Sequence, residues 1–147
     1  MTTHKAPLIT AVQVTGPMTL LLTWSTGETL ALDLADTINR HPAFKPLTYP
    51  AVFSQVAMEE WGHGLDWPDG LDMGSDRLYH LCRDQAGLFS PVTFDNWMKN
   101  NHLSLTKAAE ALGMTRRMIA HYRSGTRPIP KTVQLACIGW EALQKAA

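Results

Sequence analysis

The sequence predicts an α+β protein in two parts: a small antiparallel-sheet domain over residues 1–85, then an all-helical domain of about four helices over 86–147. Three observations predict this. Hydrophobic residues alternate at period two over the first third, with turn signals between the runs. The last third carries helical periodicity with matched start and stop residues. Charge divides at the same place. Residues 1–90 hold five Lys and Arg against ten Asp and Glu, while 91–147 hold eight against three, so a neutral chain conceals halves of −5 and +5. Unlike charges on two halves predict two domains with different partners.

The front half reads in order. Ile9, Ala11 or Val12, and Val14 form one alternating run, and Gly16-Pro17 marks a turn. Met18, Leu20, Leu22 and Trp24 share one face of the next run, and Ser25-Thr26-Gly27 marks a second turn. Leu30, Leu32 and Leu34 complete a three-stranded meander. A short helix over Ala35–Arg40 ends before Pro42. Pro42, Pro46 and Pro50 make 41–50 an ordered loop, with one helical turn at Val52-Phe53. Val56–Trp61 and Leu65–Trp67 read as strands, and Pro68-Asp69-Gly70 as a turn. Ser75 caps a predicted helix from Asp76 to about Arg83, and Asp84–Gly87 reads as the linker.

The back half carries stronger local signals. Ser90-Pro91 places a capping hydroxyl before a proline at the first helical position, where a missing N–H costs nothing. Phe94, Trp97 and Met98 form the buried stripe of that helix. Leu105, Ala108, Ala109 and Leu112 form the stripe of the next, capped at Ser104 or its neighbour and ended at Gly113. Thr115 caps a third helix. At 100° per residue, Thr115, Ile119 and Tyr122 fall on one side, with Arg117, Ala120, His121 and Ser124 opposite, flanked by Arg116. Gly125 ends it, and Pro130 or Lys131 starts the last helix. That helix has two apolar sides: Val133, Ala136, Cys137, Trp140 and Leu143 on one, Leu135, Ile138 and Ala142 on the other. A second protomer or the front domain is expected to cover the second side.

The pattern Leu105…Ala109…Leu112-Gly113-Met114-Thr115…Ile119…Tyr122…Gly125…Arg127-Pro128 resembles the lambda-repressor-like (Cro/XRE-type) helix-turn-helix domain over residues 91–143. The resemblance implies double-stranded DNA as partner, with the third helix in the major groove. Carried over by position, the base-contact candidates are Arg116, Arg117 and His121. The guanidinium fork matches the O6 and N7 acceptors of guanine. Phosphate-contact candidates are Lys107, Thr115, Ser124, Thr126 and Arg127, which set register without reading sequence. One departure concerns Arg123, where these domains often carry an acidic residue. An internal salt bridge is therefore not expected there. A single such motif reads few bases, so a homodimer is expected.

Pro46-Leu47…Phe53, followed by Leu65-Asp66-Trp67-Pro68-Asp69-Gly70-Leu71-Asp72, resembles a second family over roughly residues 8–83: a small bacterial α+β domain of unknown function, sometimes fused to a helix-turn-helix. Some members look like partners in toxin–antitoxin-like gene pairs. That resemblance supplies a rival expectation: an interaction module whose front domain takes a basic protein partner while the back half autoregulates.

Other classes lack support. The six histidines and two cysteines show no metal-ligand spacing, and the acidic residues from Asp66 to Asp76 do not follow the calcium-loop pattern. Ser25, Ser54 and Ser75 have no nucleophile-elbow context and no phosphate-binding glycine loop is present. A non-enzyme without metal or cofactor is expected. No apolar run reaches the ~20 residues of a membrane span, and the N-terminus lacks a signal-peptide pattern. Cys82 and Cys137 read as buried small hydrophobes of a reducing cytoplasm.

Overall fold

The computed structural model describes residues 7–147; the start of the chain, which carries the expectation of no signal-peptide pattern, lies outside the described residues. The chain is α+β and divides into two compact units that meet in sequence at Ala86 and Gly87.

The first unit is built on the meander β1 (Ile9–Gly16), β2 (Thr19–Trp24) and β3 (Thr29–Asp33), paired antiparallel in the order β1-β2-β3. Along β2 the alternation is complete: Leu20, Leu22 and Trp24 are buried and the residues between them are not. Met18 does not belong to that strand; it is the second turn residue, with φ 55°. A register shift between Ile9 and Ala11 in β1 breaks strict alternation, so the buried Ile9 and the half-buried Val12 are three residues apart; Val14, opposite Leu20, is exposed.

After α1 (Ala35–Arg40), the proline-rich stretch is not irregular. Pro42–Thr48 forms a 3₁₀ helix and Pro50–Phe53 forms α2, each with proline at its start. A proline at the first position of a helical turn removes an N–H that has no intrahelical partner anyway, and this lets Pro42 and Pro50 open regular structure, while Pro46 lies inside the 3₁₀ helix.

A second three-stranded sheet follows: β4 (Ala57–Met58), β5 (Gly64–Asp66) and β6 (Asp72–Gly74). The strand expected over Val56–Trp61 shortens to two residues, and β6 is a strand the alternation did not reveal. Three residues carry too few alternations to show a period. Pro68–Gly70 turns as a single 3₁₀ turn, with Asp69 in the left-handed region at φ 65°. Helix α3 runs Ser75–Gln85. Ser75 is its buried first residue and Gly74 stands at the cap, without a side-chain bond. Asp84 and Gln85 are helical, not linker. The Gln85 carboxamide accepts from the Asp33 N–H (2.8 Å) and donates to the Asp33 carbonyl (2.7 Å), so it occupies the edge of β3 as a strand peptide would. Trp24, Phe53, Trp67, Leu20, Leu47 and Leu78 lie in the core of this unit.

The second unit contains α4 (Pro91–Asn100), α5 (Leu105–Leu112), α6 (Arg116–Ser124) and α7 (Lys131–Ala146). Its core gathers Phe94, Trp97, Met98, Ala108, Ala109, Ile119, Tyr122, Val133 and Cys137. Phe94 meets Tyr122 edge-on, with centroids 5.8 Å apart, and the Trp97 indole N–H donates to the Cys137 carbonyl at 3.1 Å, fastening α4 to α7. Gln134 of α7 holds the entry to α4: its carbonyl accepts from Phe89 N–H and its amide donates to Gly87 O.

Candidate nucleic-acid interface

Each end of the α5–α6 pair is set by a local capping device. The Ser104 hydroxyl accepts from Lys107 N–H at 3.1 Å, and the Thr115 hydroxyl accepts from Met118 N–H at 3.2 Å. Between the helices Gly113 takes φ 67°, and Met114 N–H returns to Ala109 O. That left-handed residue closes α5 and redirects the chain within three residues. α6 ends in the same way at Gly125, φ 82°, where Thr126 and Arg127 N–H both donate to His121 O.

Packing assigns the faces of α6. Ile119 is completely buried and Tyr122 nearly so, and burial raises the Tyr122 pKa. Arg116 and Arg117 stand exposed at the first turn. His121 is not free in the same way. It is half-buried, and its Nε2 is enclosed with no hydrogen-bond partner among the described residues.

The phosphate candidates Lys107, Thr115, Ser124, Thr126 and Arg127 are all exposed. Three of their hydroxyls already have local partners: Thr115 caps α6, and Ser124 donates to His121 O at 3.3 Å and shares a 2.6 Å bond with Thr126. These hydroxyls stiffen the two ends of α6; Lys107 and Arg127 are the cations of this set, and neither forms an ion pair among the described residues.

Arg123 corrects the sequence expectation. It is not without an internal partner: its Nε donates to Asp95 of α4 at 2.7 Å, and Asp95 also pairs with Lys99 at 2.8 Å. The Lys99 and Arg123 hydrogen bonds hold the Asp95 carboxyl below its ordinary pKa, against a smaller opposing effect of desolvation. Residue type at 123 argued against a salt bridge; the reversed polarity of the pair, with the acid on α4, supplies one.

Ion pairing sorts the basic residues of this unit. Asp95 and Glu141 engage Lys99, Arg123 and Lys145. Lys107, Arg116, Arg117, Arg127 and Lys131 have no carboxylate within ion-pairing distance among the described residues. Lys131 escaped sequence reasoning because it was read only as the start of a helix; its signal was its place in the first exposed turn after the motif.

On α7, Val133 and Cys137 are buried, as their spacing predicts, but Ala136 and Leu143 are exposed, Leu143 to 69%. The opposite side, Leu135 and Ile138, is also exposed, at 55% and 49%. Burial pushes the Cys137 thiol up to about 12 and the Cys82 thiol to about 11.

The first unit carries one concentrated polar cluster. Glu28, at the turn before β3, accepts from Tyr79 OH and from Arg83 of α3 at 2.5 Å each, and from Thr26 Oγ1 at 2.7 Å. Burial and the Glu28 carboxylate both raise the Tyr79 pKa. The cluster binds the β2–β3 turn to α3. Among the described residues no His, Cys, Asp or Glu side chains group in a way that could hold a metal ion, and no helix is long and apolar enough to cross a membrane.

The chain is 43% identical to a Nitrosomonas europaea protein whose crystal structure is described as that of a "putative DNA binding protein". The likeness covers 97% of this chain and 91% of that one, with a TM-score of 0.62. No curated protein matches. The family model for proteins of unknown function DUF2442 matches residues 9–84, the stretch that carries both sheets and nearly all of α3. The chain belongs to the DUF2442 family of proteins of unknown function.

Proposed function

We propose that residues 87–147 form a lambda-repressor-like helix-turn-helix and that the protein is a sequence-specific DNA-binding regulator, not an enzyme. The observation that carries this reading is the division of the basic residues. The five cations left without a carboxylate lie on α5, on the first turn of α6, in the turn after it and at the start of α7. Such a set suits a polyanion approaching the α6 face, because every phosphate contact needs a cation that is not already neutralised. Arg116 and Arg117 are the base readers; Lys107, Arg127 and Lys131 position the backbone. His121 takes a smaller part than the motif implies, because its Nε2 is enclosed. The DNA-binding description of the 43%-identical protein agrees with this reading. A homodimer is part of the proposal, with the exposed Leu135 and Ile138 side of α7 as its contact.

Selection from random duplexes tests it. Wild type is expected to enrich one motif with two related half-sites. Arg116→Ala and Arg117→Ala should each lose about 5- to 150-fold of discrimination at one base position, the equivalent of one bidentate contact at ~1–3 kcal/mol. No enriched motif, or unchanged selectivity in both variants, sinks specific readout.

The front half carries a second reading. Its five Lys and Arg against ten Asp and Glu, with Trp61 67% exposed and Tyr49 59%, suit a basic protein partner. Salt-sensitive co-purification of one defined protein from the native host, lost in Trp61→Ala, is the expected result.

A further inference from the structure

We propose that Asp95 is a positioning residue for DNA reading: through Arg123 it pins the C-terminal turn of α6 to α4 and so sets the angle at which Arg116 and Arg117 meet the groove. The inference rests on the DNA-binding reading above.

Three observations carry it. First, α6 is anchored unevenly. Its apolar contacts, Ile119 and Tyr122, lie in the middle and later part of the helix, while Arg116 and Arg117 project from its first turn with no ion-pair partner among the described residues. The arginines' direction therefore depends on what holds the body of the helix. Second, the Asp95–Arg123 bond is the ion pair that α6 makes with a neighbouring helix among the described residues, at 2.7 Å, seven residues beyond Arg116 on the same turn phase. Apolar packing permits small rotations about the helix axis; a directed bond from the Arg123 Nε resists them. Third, Asp95 occupies Arg123 and Lys99 together. Without it, two cations would be released next to the reading face, where either can hold a phosphate in an unproductive register.

The last point makes the role separable from stability. Loss of an ordinary structural contact lowers the melting temperature and leaves the DNA preference of the folded fraction unchanged. Loss of a positioning contact that also masks cations moves affinity and selectivity in opposite directions. Non-specific binding tightens or holds, and its salt dependence steepens by about 0.9 in log–log slope for each cation freed. Discrimination between the selected motif and a scrambled duplex falls.

The experiment uses the full chain, the motif selected by wild type and a scrambled duplex of equal length, with binding measured across a salt series well below the melting temperature of each variant. Asp95→Asn should lose about tenfold in discrimination while its non-specific salt slope steepens by about one to two. Asp95→Glu, which keeps the charge, should restore most of the discrimination. Lys99→Ala, which leaves Arg123 paired, should discriminate as wild type does. Should Asp95→Asn fail to fold, Arg123→Gln releases the same pin without freeing a cation, because Asp95 still holds Lys99, and should lose discrimination with no steepening of the slope. Equal discrimination in wild type, Asp95→Asn and Arg123→Gln overturns the positioning role and leaves DNA reading intact. Absence of any motif selected by wild type defeats the DNA-binding reading itself, a separate outcome.

Discussion

Gly125 shows how much one residue decides. Its φ of 82° lies where an L side chain is strained, and a Cβ built there would meet Pro91 Cγ at 3.2 Å. Both costs fall on Gly125→Ala: the left-handed backbone alone costs roughly 1–2 kcal/mol, and Pro91 must move as well. We expect a loss of at least that size in chemical denaturation, with α4 and α6 affected together. The caps Ser90 and Thr115 were readable from sequence for the same local reason, and the α5 cap was placed at Ser104 or its neighbour, of which the structure selects Ser104. A hydroxyl three residues before the N–H it accepts from needs no distant partner. Ser75 failed as a cap because burial, which sequence spacing does not report, drew it into the first turn of α3. The enclosure of His121 Nε2 was hidden likewise: a helical wheel gives direction, not what lies along it.

Among the elements, the α4–α6 contact is where charge and fold meet. Asp95 has a lowered pKa, chiefly through the Lys99 hydrogen bond and further through Arg123. A depressed carboxyl contributes stability at pH values above its unfolded-state pKa of 3.8 and loses it as pH falls through the lower folded value. Melting temperature should therefore decline below about pH 4.5 in wild type, with a shallower acid limb in Asp95→Asn. Parallel acid limbs in the two proteins would remove the ion pair from the stability of this unit. Sequence could name both residues but not join them, because they stand 28 positions apart and Arg123 carries the charge opposite to the one its position suggested. The front unit repeats the point. The meander was legible because β1, β2 and β3 are joined by short turns, whereas β4, β5 and β6 were only partly so. Two- and three-residue strands owe their pairing to tertiary partners, not to alternation.

Across the whole molecule the net charge of zero misleads, and the division into −5 and +5 halves informs. With Lys107, Arg127 and Lys131 as the phosphate-contacting cations, log affinity for DNA should fall against log salt with a slope of about −2.7 per protomer. Lys131→Ala should flatten that slope by about 0.9 without changing the selected motif. A slope near zero would mean that these residues do not meet phosphate. By itself the sequence determined the α+β class, the start of α4 at Ser90, the Gly113–Thr115 junction, the end of α6 at Gly125 and the basic character of the back half. Those follow from capping, periodicity and composition, which act over a few residues or none. Tertiary structure alone decided which cations remain unpaired, where Asp95 finds Arg123, and which sides of α7 stay exposed, because ion pairs and burial depend on residues that folding brings together from far apart in the chain.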